Sequence, residues 1–223
     1  SPAQVAELSD VTFSSLPGPK EVESVVLGDE GVLEGIRPGS IYIDLSSSRP
    51  TLIRELEPKF RQKGCYVLDA PVSGGREGAL VRDLLVVVGG EEAVFQKCRP
   101  LLEAIGERVY HAGGIGAGCI CKITHNTAVF CTDMAMAECW TLAVKAGVAP
   151  EVIVDVFRNA ALGRMSNLNM RLPDTYFRGD FDPRFALKIA RKDLGLASEM
   201  ARAPNVPMRI AQLCEQEYME AMG

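Results

Sequence analysis

Leu84-Leu85-Val86-Val87-Val88 is an unbroken apolar run, rich in β-branched residues. A strand that is buried on both faces reads in this way, because neither of its faces meets water, and such strands occur in parallel sheets with helices on both sides. The run therefore predicts a central strand of an α/β fold.

Strand-like and helix-like segments alternate on either side of this run. The predicted strands are Asp10–Leu16, Ser40–Leu45, Cys65–Asp69, Leu84–Val88 and Arg108–His111, and the predicted helices include Glu21–Leu27 and Pro50–Phe60. This alternation is typical of an α/β domain with a mainly parallel sheet.

After Gly116 the pattern changes to helices alone. A long helix, ending near Gly147, has one wide apolar face formed by Ile123, Phe130, Met134, Ala137 and Trp140. Further helices are predicted over Glu151–Asn159, Ser166–Leu172 and Ala186–Ala203, and from Pro207 onward. The predicted domains are residues 1–112, of α/β type, and residues 113–223, all helical.

The composition excludes several classes of protein. With a net charge of -5 and no block of Lys or Arg, the chain lacks the basic footprint of a nucleic-acid or anionic-membrane binder. Its seven cysteines are scattered singly, which predicts reduced thiols in a cytoplasmic protein rather than disulfides or a metal site. The most apolar helix carries Asp133, Glu138 and Lys145, so it is not expected to span a membrane.

The beginning of the chain lacks an expected part. Ser1-Pro2-Ala3 opens in a predicted helix that leads into a middle strand, with no strand and glycine-rich turn ahead of it. Because an α/β domain with this layout ordinarily begins with one or two more strand–helix units, the sequence is expected to be cut at the front.

Lys122 is the most chemically informative residue. It follows the glycine-rich segment Gly113–Gly118 and lies among apolar residues on the first turns of the long helix, and Asn126 follows one turn later on the same face. Burial is costly for an ammonium, so such a lysine is a candidate for proton transfer at a lowered pKa. The alternative is a solvated lysine whose stem lies on the surface.

Ser73-Gly74-Gly75, after the third predicted strand, is a second candidate. Glycines allow backbone N–H groups to approach an anion closely, and the serine hydroxyl adds a donor. The alternative is a plain tight turn.

Three motifs in register resemble the β-hydroxyacid dehydrogenase family, which includes 3-hydroxyisobutyrate dehydrogenase, tartronate semialdehyde reductase and, more distantly, 6-phosphogluconate dehydrogenase. They are Asp69-Ala-Pro-Val-Ser-Gly-Gly75, the segment ending Lys122-Ile-Thr-His-Asn126, and Lys192-Asp-Leu-Gly-Leu-Ala197. The resemblance implies a Rossmann-type doubly wound sheet, incomplete at its N-terminus, followed by an all-α domain, with the active site in a cleft between the domains.

The resemblance also implies roles for individual residues. Lys122 is the expected general acid/base, with Asn126 fixing its geometry. Ser73, Gly74 and Gly75 are expected to hold the substrate carboxylate. Contacts with NAD or NADP are expected from Leu16, Pro17, Ser47 and Lys192.

Some residues depart from the family pattern. The G-x-G-x-x-G turn and the residue that selects NAD over NADP are absent from the chain. His125 stands where most members have asparagine, and Arg82 and Asp83 replace a glycine and a small polar residue, which leaves the substrate undefined.

The sequence thus predicts an NAD(P)-dependent oxidoreductase that interconverts a small β-hydroxy acid and its semialdehyde, as a homodimer or homotetramer formed through the helical domain. One alternative is a catalytically inactive oligomerisation or scaffold module of the same fold, which retention of Lys122 and Asn126 disfavours. Imine reduction, found in relatives whose lysine is replaced, is disfavoured by Lys122 itself.

Overall fold

The computed structural model describes residues 1–166, 168–169, 172–182 and 186–222. They form two compact units, Ser1–Ala128 and Val129–Gly223. The domain boundary near Gly113 remains a prediction, because compactness and domain identity are different criteria.

The first unit alternates strands and helices. Its strands are β1 (Val11–Ser14), β2 (Ile41–Asp44), β3 (Tyr66–Asp69), β4 (Val72–Ser73), β5 (Leu85–Gly89) and β6 (Arg108–Gly113). Its helices are α1 (Pro2–Glu7), α2 (Pro19–Leu27), α3 (Val32–Gly35), α4 (Pro50–Gln62), α5 (Gly75–Val81) and α6 (Glu92–Ile105). Helix α7 (Ala117–Lys145) begins in this unit.

These strands form a six-stranded sheet. β1, β2 and β3 are parallel neighbours, and in their register Ser14 lies beside Asp44 and Asp44 beside Asp69. β5 and β6 are also parallel to each other, but β5 runs antiparallel to β3 and β4. Most neighbouring strands in the sheet are therefore parallel. The short strand β4, which follows β3 after only two residues, was not predicted from the sequence.

Both faces of the sheet are covered. Tyr42 and Val67 pack with residues of α1, α2, α3 and α4 on one face, whereas Ile41, Ile43 and Leu68 pack with residues of α6 on the other. Adjacent residues of β2 thus point into different cores, which is why the strand is apolar throughout. The prediction of a doubly wound Rossmann-type fold, followed by helices, is confirmed.

The second unit is helical in its described residues. After the remainder of α7 come α8 (Pro150–Asn159), the short turn α9 (Leu172–Asp174), a 3₁₀ turn (Tyr176–Arg178), α10 (Leu187–Met200) and α11 (Arg209–Glu220). The helix predicted over Ser166–Leu172 includes Asn167, Met170 and Arg171, which lie outside the described residues.

A small core holds this second unit together. Leu142 of α7 packs with Ala201, Val206 and Met208. The Glu138 carboxylate accepts hydrogen bonds from the backbone N–H groups of Ile210 and Ala211, the first of them at 3.0 Å, and so stabilises the first turn of α11.

The apolar face predicted on α7 remains open to solvent in the single chain. Phe130 and Met134 are 63% and 57% exposed, and Trp140 is 40% exposed. Within the described part of the chain, no helix combines the length and apolarity needed to cross a membrane.

Candidate active site

Asp69, the last residue of β3, holds the beginning of α7. Its carboxylate is fully buried and accepts hydrogen bonds from the backbone N–H groups of Gly116 and Cys119, each at 2.7 Å. Burial raises the pKa of the Asp69 carboxyl, and the two amide donors oppose that rise. Two of the N–H groups that any helix start leaves without a partner are thereby satisfied.

Two glycines make this contact possible. A Cβ atom on Gly118 would lie 2.4 Å from the Val87 carbonyl oxygen and 2.7 Å from that of Asp69. A Cβ atom on Gly89 would lie 2.4 Å from a carboxylate oxygen of Asp69. The first turn of α7 therefore lies directly against the carboxyl ends of β3 and β5, a distance that only glycine permits.

Lys122 and Ser73 meet as a consequence. Lys122 lies three residues after Cys119 on α7, and Ser73 lies four residues after Asp69, in β4. The Lys122 ammonium donates a 2.6 Å hydrogen bond to the Ser73 hydroxyl. Lys122 is half-buried, and this burial lowers its pKa. The structure thus joins the candidate acid/base to the candidate substrate cradle.

Asn126 and His125 contact each other on the next turn of α7. The ring nitrogen Nδ1 of His125 lies 3.3 Å from the Asn126 side-chain oxygen, with His125 exposed and Asn126 half-buried. Lys122 bonds to Ser73 rather than to Asn126, so within the described part of the chain the N–H donors of the Asn126 carboxamide remain available for a further partner.

The Ser73-Gly74-Gly75 segment joins β4 to α5. Gly74 and Gly75 have φ values of 132° and 63°, a region that L side chains rarely adopt. Both glycines are exposed, and with Ser73 the first of them borders a surface cavity of about 520 Å³. The segment is therefore a tight turn with an exposed backbone.

Arg82 and Asp83 lie on the turn that follows α5. Arg82 ends that helix at φ 63°, which explains why a glycine suits the position. Asp83 forms a 2.6 Å ion pair with Arg108, and both residues line the same cavity as Ser73. The negative charge of Asp83 is therefore paired within the cavity wall.

The carboxyl ends of β1 and β2 form a second candidate region. The backbone N–H of Leu16 donates a 2.9 Å hydrogen bond to the Ser46 hydroxyl, which ties the two strand ends together. Pro17 and Ser47 are exposed beside this bond. Ligands of open α/β sheets bind at this edge, so these residues lie where a dinucleotide would be expected.

A buried polar network lies beneath that edge. The Ser14 hydroxyl lies 2.7 Å from the Tyr42 hydroxyl and 2.8 Å from the Asp44 carboxylate, which also accepts a hydrogen bond from the backbone of Ser46. Burial raises the pKa values of Tyr42 and Asp44. A second oxygen of Asp44 and the Ser48 hydroxyl are buried without a hydrogen-bond partner among the described residues. These two polar atoms suit a position next to a polar cofactor, with which they could form hydrogen bonds.

Lys192 lies on α10 in the second unit. Its ammonium forms a 3.0 Å ion pair with the adjacent Asp193, and both side chains are more than half exposed. Its proposed contact with the cofactor remains a prediction.

Asp69 is the residue whose importance the sequence did not reveal. It opens the family-like motif, but nothing in its position suggested a bond to a helix 47 residues away. One available signal was the spacing of Gly116 and Gly118 at a helix start, since closely spaced glycines indicate a close backbone approach.

Comparisons with known proteins agree with this architecture. Residues 1–114 match the model for the NAD binding domain of 6-phosphogluconate dehydrogenase, and residues 116–223 match that for NAD-binding of NADP-dependent 3-hydroxyisobutyrate dehydrogenase. The chain is 37% identical over 222 residues to 2-(hydroxymethyl)glutarate dehydrogenase of Eubacterium barkeri, with 99% of this chain and 73% of that one covered.

Two further relatives extend the match. The chain is 35% identical to 3-hydroxyisobutyrate dehydrogenase of Pseudomonas aeruginosa, over 90% of this chain and 69% of that one. The solved structure of 3-hydroxyisobutyrate dehydrogenase of Mycobacterium tuberculosis with L-serine superposes with a TM-score of 0.68 at 30% identity, over 99% of this chain and 76% of that one.

The chain belongs to the β-hydroxyacid dehydrogenase family of NAD(P)-dependent oxidoreductases. The predictions of this family, of an enzyme and of NAD or NADP as the cofactor are confirmed.

Proposed function

We propose that this protein interconverts a small β-hydroxy acid and its semialdehyde, with Lys122 as the general acid/base. The 2.6 Å hydrogen bond between the Lys122 ammonium and the Ser73 hydroxyl carries the proposal. It brings the one candidate proton-transfer group to the one candidate carboxylate cradle within a single compact unit. A β-hydroxy acid has its hydroxyl and its carboxylate only a few bonds apart, so this pairing suits both groups.

In this proposal each site residue has a separate role in binding the substrate or transferring its proton. Ser73 and the exposed backbone of Gly74 and Gly75 hold the substrate carboxylate by hydrogen bonds. Lys122, in its neutral form, accepts the proton of the substrate hydroxyl during oxidation, and in its ammonium form it returns that proton during reduction. Asn126 uses its N–H donors to orient the substrate hydroxyl toward Lys122.

NAD or NADP, when bound, supplies the two-electron chemistry as acceptor or donor of hydride. The chain's own contribution is binding and orientation. Leu16, Pro17 and Ser47, at the ends of β1 and β2, hold the dinucleotide, and Lys192 contacts it from the helical domain.

The names of the relatives support this class of substrate. 2-(Hydroxymethyl)glutarate and 3-hydroxyisobutyrate each carry a hydroxymethyl group on the carbon next to a carboxylate. The Asp83–Arg108 pair borders the cavity beside Ser73, and Arg82 precedes Asp83 on the same turn, so these are the residues expected to choose between acids with different side chains.

An activity assay tests the proposed function. The protein is incubated with NAD or NADP and a panel of β-hydroxy acids, with the corresponding α-hydroxy acids as matched controls, and the formation of reduced cofactor is followed at 340 nm. We expect turnover of at least one β-hydroxy acid and none of its α-isomer. Binding of cofactor without turnover of any acid would instead favour the inactive scaffold.

The pH dependence follows from the lowered pKa of Lys122. Oxidation needs the neutral amine, so its kcat/KM should rise with pH and level off below the ordinary lysine value of 10.5. Reduction needs the ammonium, so its kcat/KM should fall over the same range. Rate profiles measured in both directions check this, and two flat profiles between pH 6 and pH 10 would contradict the role of Lys122.

The homo-oligomer remains a prediction. The exposed side chains of Phe130, Met134 and Trp140 support it, since a soluble chain rarely leaves several large apolar groups of one helix in water.

A further inference from the structure

We infer that Asp69 is a positioning residue for the proposed proton transfer: by holding the first turn of α7 through the amides of Gly116 and Cys119, it sets the distance between Lys122 and Ser73. This inference rests on the proposed function, because it assigns to Asp69 an effect on turnover that Lys122 transmits.

The geometry makes Asp69 the common support of both residues. One oxygen of its carboxylate accepts from Gly116 and the other from Cys119, so both oxygens are engaged by the same helix start. Lys122 follows Cys119 within one helical turn, and Ser73 follows Asp69 after a short connection into β4. A shift in the carboxylate contact should therefore change the distance between Lys122 and Ser73, because only a few residues connect each of them to that contact.

The surroundings leave the carboxylate little freedom to move. Asp69 is fully buried and pairs across the sheet with Gly89, whose backbone lies against the carboxylate. A Cβ atom on Gly118 would lie 2.7 Å from the carbonyl oxygen of Asp69. Because these contacts involve backbone atoms, a displaced helix start has no flexible side chain to absorb the shift.

Asp44 shows that burial of a carboxylate at this edge does not by itself produce such a contact. It is the register partner of Asp69 on β2 and is equally buried, but among the described residues it bonds to Ser14 and Ser46, which belong to the sheet and its edge. Asp69 differs in reaching the helix that carries Lys122.

Asp69→Asn is the first test. The amide keeps one acceptor oxygen but presents N–H groups to the other backbone amide, so one of the two bonds is lost. We expect kcat to fall about 10- to 100-fold, because displacement of a reacting group by about 1 Å costs that order of rate. The KM for the cofactor should change less than threefold. Asp133 is an exposed residue of α7, so Asp133→Asn is the matched control and should leave kcat unchanged.

A double-mutant cycle separates positioning from stability. If Asp69 acts through Lys122, Asp69→Asn should lower kcat less than threefold in a Lys122→Met background, where no lysine is left to position. An equal loss in both backgrounds would overturn the inference. So would a lowered melting temperature with unchanged kcat per folded molecule, which is the result of a purely structural role.

Asp69→Glu is the second variant, to be used in the same cycle if Asp69→Asn does not fold. It keeps both acceptor oxygens but moves them by one methylene, so the same loss of kcat is expected. If neither variant folds, Asp69 is a structural residue and the inference fails. If Lys122→Met itself retains normal turnover, the proposed function fails whatever Asp69 does; if Lys122→Met is inactive and Asp69→Asn is normal, only the present inference fails.

Discussion

Replacing Lys122 with Met should lower kcat for the β-hydroxy acid about 10³- to 10⁴-fold, near the upper end of what general acid–base catalysis contributes. Methionine keeps most of the length and apolar surface of the lysine stem but can neither donate nor accept a proton. The fold should therefore be retained, while the hydrogen bond to Ser73 and the proton transfer are both lost.

The measurement is kcat under saturating substrate, together with cofactor affinity from isothermal titration. Affinity for NAD or NADP should stay within threefold, because the proposed cofactor contacts are Leu16, Pro17, Ser47 and Lys192, and Lys122 is not among them. Lys145→Met, at the far end of the same helix, is the control and should retain full turnover. Near-normal kcat in Lys122→Met would remove this lysine from the mechanism.

Gly118→Ala is expected to have the second-largest effect, a loss of about 3 kcal/mol in the free energy of unfolding, at the upper end of the usual range for overpacking. The added methyl would lie 2.4 Å from the carbonyl oxygen of Val87 and 2.7 Å from that of Asp69. Both are backbone atoms of central strands, so the helix start must move instead. That movement separates Lys122 from Ser73, and kcat should fall at least tenfold in the folded fraction.

Gly114→Ala is the matched control for this substitution. Gly114 belongs to the same glycine-rich segment, but a Cβ atom added there has nothing within 4 Å. Its unfolding free energy should stay within about 0.5 kcal/mol of the parent protein, as is usual at open surface positions. Chemical denaturation of both variants measures the difference, and equal stability of the two would contradict the close approach of α7 to the sheet.

Every strand except β4 could be predicted, because each of the other five is a short segment of strand-forming residues. β2, for example, was expected over Ser40–Leu45 and is observed over Ile41–Asp44. Its neighbours alternate with helices, and that order alone implies a sheet with helices on both faces. Whether β5 runs parallel or antiparallel to its neighbours could not be predicted from the sequence, because an apolar run has the same appearance in either orientation.

The candidate site was only half predictable. Lys122 and Ser73 stood out separately, as a lysine among apolar residues and a serine before two glycines. Their hydrogen bond was not foreseen, because it depends on where β4 places Ser73, and β4 has only two residues. The role of Asp69 depends on backbone donors of a distant helix, and every residue type except proline carries such a donor.

The exposed turn at Arg82 and Asp83 has a consequence for protein engineering. Lys122 lies on a helix that a buried carboxylate holds, whereas Arg82 and Asp83 are exposed and Asp83 pairs with Arg108. We therefore expect that the proposed acid/base, Lys122, can stay in place while the proposed selectivity residues on the turn are changed. Libraries restricted to that turn should yield catalysts for new acids without rebuilding the proton-transfer step.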